Sequence, residues 1–226
     1  MLNIVSAIFF KEYTKTRLAM LALLAAGVCA VCWIGLGINR LFLLDHPEIV
    51  WYHSMDLNQI PYKAFTFVPS LSAVAFCLCQ FLPEIRDERM RISLHLPCPL
   101  WLLMLAHIGY GFAFLLGLYL VEVGGILLIL VHHYPHEAVE MAFWTILPWC
   151  MAGAYTYLCC AWVMLEPKKT AKLLGVLLGM GVCTPLLMHW TPGTFRTAVL
   201  PFLMGIPLLA AGFFLPALHY RTREVQ

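Results

Sequence analysis

The stretch "LWLLMLAHIGYGFAFLLGLYLVEVGGILLILV", residues 100–131, decides the class of fold. It runs for 32 residues with a single formally charged side chain, Glu122. A membrane-crossing helix needs roughly 20 predominantly apolar residues, so this run can span a bilayer. At about 1.5 Å per residue it is too long for one helix standing perpendicular to the membrane. Glu122 followed by Gly124-Gly125 points either to a break there or to an extension past the bilayer.

The same pattern repeats on both sides. Apolar runs at 18–38, 64–82, 141–164, 173–190 and 198–218 join 100–131 to give six expected spans. Of the 226 residues 62% are hydrophobic and 12% charged, and the mean hydropathy is +0.83. A soluble domain of this length would lack the polar surface to cover itself. The runs are continuous rather than alternating, which excludes a closed β-barrel. The expectation is therefore an all-α polytopic membrane protein, a single transmembrane domain over 1–226.

Eight of the nine cysteines lie inside apolar runs and Cys98 lies in a charged segment, so no disulfide framework is expected. Cys29 and Cys32 have redox-motif spacing but sit mid-span, where a thiol serves as a small apolar filler. The charged "KEYTKTR" before the first run resembles a secretion signal, yet the run continues to Ile38 and more spans follow, which favours retention as a span.

Lysines and arginines set the orientation. Lys11, Lys15, Arg17, Arg86, Arg89, Arg91, Lys168, Lys169, Lys172, Arg221 and Arg223 fall on one side, and Arg40, Lys63 and Arg196 on the other. By the positive-inside rule the first side is cytoplasmic, with both termini. Trp101 and Trp162 near the inner ends, and Trp33, Trp144 and Trp190 near the outer ends, fit interfacial belts. Before the first span, Leu2, Val5, Phe9 and Tyr13 recur at helical spacing, so 1–17 is expected to form an amphipathic helix along the inner surface.

The segment "FLPEIRDERMRISLHLPCP", residues 81–99, is a charged island between the second and third runs. Pro83 suits a helix start. Glu84, Asp87 and Glu88 precede Arg89, Arg91 and His95, an order that complements the helix dipole, and Asp87 with Arg91 is a favourable i, i+4 pair. Ile85, Ile92 and Leu96 give an apolar edge, and Pro97 and Pro99 end the segment. A short surface helix over 83–97 and a plain solvated connector both fit this spacing.

The chain has no phosphate-binding G-x-x-x-x-G-K-[ST] loop, no Gly-x-Ser-x-Gly elbow and no His-Glu-x-x-His helix. No catalytic engine of its own is legible. Taken together, the "FFKEYTKTR" start, six spans and the "PEIRDERMRISLHLPCP" connector resemble the type 2 permease subunits of ATP-binding-cassette exporters. Glu84, Arg89, Leu94, Leu96 and Pro97 occupy the places of that family's Glu, basic stretch and Leu-x-Leu-Pro. The "PCP" ending and the absence of a Gly-Thr in the connector depart from its usual pattern.

The resemblance implies an elbow helix at 1–17 and a coupling helix at 83–97. Glu84, Arg86, Asp87, Arg89, Arg91, Leu94 and Leu96 would then meet a separate ATPase subunit, which binds ATP and Mg. It also implies a second permease copy or homologue, surrounding lipid, a location in the cytoplasmic membrane, and no nucleic acid. A haem-export permease of cytochrome maturation has similar length and span count. Readings from other classes are a membrane-embedded redox or haem protein using Glu122, the histidines and the thiols, and a non-transporting anchor.

Three lesser features remain. Gly175 and Gly179 are a G-x-x-x-G pair that permits close helix approach. Glu122 is either interior, in a pathway or bundle, or interfacial. His132, His133, His136, Glu137 and Glu140 crowd one outer loop, where Pro135 interrupts the turn and a polar interfacial loop is expected rather than a metal site.

Overall fold

The computed structural model describes residues 2–86, 99–188 and 192–212. These form α1 (Leu2–Leu44), α2 (Pro47–Met55), α3 (Val68–Arg86), α4 (Leu100–His133), α5 (His136–Leu165), α6 (Lys169–Leu187) and α7 (Val199–Gly212), with 3-10 turns at Lys63–Phe67 and Thr194–Arg196. No strand occurs among the described residues. The described part of the protein is all-α, and among the described residues five helices are long and apolar enough to cross a membrane: Val5–Leu44, Lys63–Arg86, Leu100–His133, His136–Leu165 and Lys169–Leu187. The described part of α7 is shorter, 14 residues, and the expected span 198–218 continues beyond it.

Prolines set both ends of α5. Tyr134 precedes Pro135 and takes an extended conformation (φ −120°, ψ 152°), and Glu166 before Pro167 is likewise extended (φ −78°, ψ 124°). A residue before proline is pushed out of the helical region by its ring, so α4 and α5 form a tight helical hairpin and α5 stops sharply. The link from α6 to α7 turns at Gly193, whose φ of 77° suits a residue without a Cβ.

Two helices run longer than a bilayer requires. α1 has 43 residues, about 64 Å at the helical rise, against a hydrocarbon core of roughly 30 Å. No break separates the expected elbow, 1–17, from the first span; the two form one helix. α4 also passes unbroken through Glu122, Gly124 and Gly125, so this run extends rather than breaks. Pro83, expected to open a new helix, lies inside α3.

The bundle is organised around α5. In its most apolar window 72% of residues are buried, against 11% for α6 on the outside. α3, α4, α6 and α7 pack on α5, while α1 lies along α4 and α3. The outward faces stay apolar, with Leu18, Leu21, Trp33, Leu116, Leu128 and Leu174 exposed. A continuous apolar exterior is a liability in water and normal against lipid.

Candidate functional site: a buried charge network where α3 ends

The start of α1, the end of α3 and the start of α4 converge on a group of polar side chains with almost no exposure. Glu12, Gln80 and Glu84 are 0% exposed, and Thr16 and His107 1%. On α1 the inward stripe is Ile8, Glu12 and Thr16, at i, i+4 spacing, while Phe10 and Tyr13 face out. The helix thus turns a carboxylate and a hydroxyl into the bundle, which no simple apolar-inside pattern anticipates.

Two lysines neutralise two carboxylates. Lys11 Nζ lies 3.0 Å from Glu84 Oε2, and Lys15 Nζ lies 3.0 Å from Glu84 Oε1 and 2.8 Å from Glu12. The ammonium and carboxylate charges sum to zero, the condition under which buried ions are tolerated. Glu84 therefore spends both oxygens on α1 and presents no carboxylate surface outward. His107 donates through Nδ1 to the Leu103 carbonyl, 2.8 Å away, and its Nε2 stands 3.6 Å from Glu12 Oε1. Thr16 Oγ1 donates to the Glu12 carbonyl and lies 2.8 Å from the Tyr110 hydroxyl.

A second chain of hydrogen bonds ties this group to the core. Tyr157 Oη on α5 donates to Gln80 Oε1 at 2.7 Å, and Gln80 Nε2 on α3 donates to the His107 carbonyl on α4 at 2.8 Å. Gly111 makes room for it, since a Cβ there would run into the Tyr157 hydroxyl and reach 2.7 Å from Gln80 Oε1. Four helices are thus fixed in one register where α3 ends. In a low-dielectric surrounding such hydrogen-bonded chains stiffen the bundle, although His107 Nε2 is buried with no hydrogen-bond partner among the described residues.

Of the residues expected to meet a partner, Arg86 is exposed at the last turn of α3. Asp87, Arg89, Arg91, Leu94 and Leu96, and most of the expected coupling helix 83–97, lie outside the described residues. Gly175 and Gly179 face α5 within the same chain: Cβ atoms there would meet Trp162 Cδ1 at 3.1 Å and Cys159 Cβ at 3.0 Å. Of the outer histidines, His132 and His133 meet edge to face with ring centroids 5.0 Å apart. His133 bonds to the Ile129 carbonyl and lies against Phe42, Glu140 pairs with Arg196 at 3.4 Å, and no metal-binding trio occurs among the described residues.

The opposite end of the bundle has a different character. There α1, α2 and the turn before α3 enclose an open polar cavity of about 550 Å³, lined by Asp45, His53, Ser54, Asn58 and Lys63 among others. An apolar groove of about 290 Å³ runs between α4, α5 and α7, past Leu116, Leu120, Phe143, Leu147 and Leu203. No protein-family model, curated protein or solved structure matches the chain.

Sequence reasoning identified Lys11, Lys15 and Glu84 as charges near one membrane face but did not pair them. It missed Glu12, Thr16, Gln80, Tyr110 and Tyr157. A usable signal was present: Glu12 and Thr16 share the face of Ile8, and Gln80 and Glu84 are four residues apart on one face of α3.

Proposed function

We propose that the chain is the membrane-spanning permease subunit of an ATP-driven exporter, of the type 2 ATP-binding-cassette kind, working as a pair with separate ATPase chains. In this reading the helix count is six, with α7 the described part of the sixth span. Both termini and the connector after α3 face the cytoplasm. ATP and Mg belong to the partner, and the permease performs no hydrolysis itself.

The observation that carries the proposal is the bridge from Lys11 and Lys15 to Glu84. A permease driven from outside must convert displacement of a surface connector into movement of its spans. The last turn of α3 leads directly into the charged island, and it is clamped there to α1. A push on the connector is then delivered to two long helices at once rather than lost in a loose hinge. In this reading the charges beyond Glu84, among them Arg86, Arg89 and Arg91, select the partner. Glu84 acts as the brace behind them.

The test is co-purification with a candidate ATPase and measurement of permease-stimulated ATP hydrolysis. Arg89→Ala is expected to weaken assembly. Glu84→Gln is expected to leave assembly largely intact and reduce the stimulation, because docking survives while transmission is loosened. Full assembly and unchanged stimulation in both variants would remove the proposal.

A further inference from the structure

The seam between α1 and α4 is built for close approach in the apolar part of the bundle. Along it Gly27 faces Glu122, Val31 faces Gly125 and Gly35 faces Ile129, so small residues alternate between the two helices. The numbers rise together on both sides, as expected for two helices running in the same direction. A Cβ at Gly27 would run into Glu122 Oε1, which places the carboxyl group against the backbone of α1. Glu122 lies 11 residues before the end of α4, about 16 Å from it, with apolar neighbours on every turn.

This carboxyl group is 1% exposed, and neither oxygen has a hydrogen-bond partner. Among the described residues no lysine, arginine or histidine forms an ion pair with it. The titratable groups facing it are Tyr119 on α4 and Cys150 on α5. Neither carries positive charge, and the Tyr119 hydroxyl is committed to the Pro69 carbonyl of α3 at 2.8 Å. From α1 the seam contributes Gly27 and no charge. Contrast Glu84, which is equally buried but faces two ammonium groups. An isolated carboxylate in a medium of this kind is far too costly to persist, whereas the neutral acid is not.

We propose that Glu122 is a reversible proton-binding site in the α1–α4 seam. With the proton bound, the group is a neutral carboxylic acid and the helices close over it. Release of the proton to water leaves an unpaired negative charge between α1 and α4. That charge is relieved only when the seam parts and admits water, so proton occupancy and seam closure are linked. This inference stands on the seam alone and holds whether or not the chain is a permease.

The experiment uses the full chain in phospholipid vesicles. Dicyclohexylcarbodiimide, an apolar reagent that adds to protonated carboxylic acids, is expected to modify Glu122, with labelling falling as the pH is raised. A water-soluble carbodiimide is expected to spare Glu122 while reacting with exposed carboxyls such as Glu140. Infrared spectra should show the carbonyl stretch of a buried carboxylic acid, converting to carboxylate at high pH and absent from Glu122→Gln. Should that variant not fold, the band in the native chain, and its displacement in Glu122→Asp, still report on the group. Absence of both labelling and the acid band would overturn the proposal. So would equal labelling by the two reagents, which marks a wet site, or a band that does not respond to pH.

Discussion

Replacing Lys15 by Met should be the most damaging single change in the charge network. Its side chain is 14% exposed and its ammonium group serves both Glu12 and Glu84, at 2.8 and 3.0 Å. Methionine keeps the aliphatic length and removes the charge, leaving two fully buried carboxylates with Lys11 as the one lysine or arginine paired to them among the described residues. Removing one partner of a buried pair costs about 3–5 kcal/mol, and the full range applies because, among the described residues, Glu12 then keeps His107 nearby, at 3.6 Å. Glu84→Gln should cost less, about 1.5–3 kcal/mol, since Lys15 retains Glu12 and Lys11 is 39% exposed and can turn to water. Lys11→Met, removing that half-exposed partner, should cost below about 1 kcal/mol. The assay is reversible unfolding in mixed micelles titrated with a denaturing detergent, followed by tryptophan fluorescence. A double variant, Lys15→Met with Glu12→Gln, should recover part of the loss, because it leaves the neutral Lys11–Glu84 pair. Equal costs for the three single variants, Lys11 proving the most sensitive, or a strictly additive double variant would refute the reasoning.

Other expectations follow from the same packing. Gly111→Leu should displace the Tyr157 hydroxyl from Gln80 and destabilise the bundle by about 1–3 kcal/mol, read in the same unfolding titration. Gly27→Ala should cost a similar amount, about 1–3 kcal/mol, and Glu122→Ala in the same chain should restore most of it by vacating the space the new methyl needs. Glu140→Gln should change stability by less than about 0.5 kcal/mol, since its pair with Arg196 is exposed on both sides; a larger loss would mean that the outer end is organised around it. Gly175→Leu should separate α6 from Trp162 of α5 and expose that end to limited proteolysis, whereas Gly175→Ala needs a shift of only a few tenths of an ångström.

The class of fold was legible because lipid imposes simple rules: long uninterrupted apolar runs such as 100–131, no alternation, and charges gathered in short links. The ends of α5 were also written locally, in Pro135 and Pro167. What pattern reading could not supply was the partner of each buried polar group. Glu12 looks like one more charge in "FFKEYTKTR" until α3 and α4 are in place around it, and its neutralisation by Lys15 depends on how closely Glu84 approaches from another helix. Glu122 shows the same gap. Its position in an apolar run raised the choice between interior and interface; in the structure its side chain lies buried against Gly27 of α1, a partner that only the packed bundle reveals. Continuity of α1 was hidden for a different reason: the helical spacing of Leu2, Val5, Phe9 and Tyr13 suggested a separate surface helix over 1–17, whereas Lys11, Glu12 and Lys15 are accommodated along one uninterrupted helix.

The central claim, coupling to an ATPase through the segment after α3, is tested most directly by site-specific photo-cross-linking in the native membrane. A cross-linking side chain at position 89 should capture a nucleotide-binding chain, and one at position 140 should not. Capture with equal yield from both positions, or no such chain from position 89, would contradict the account.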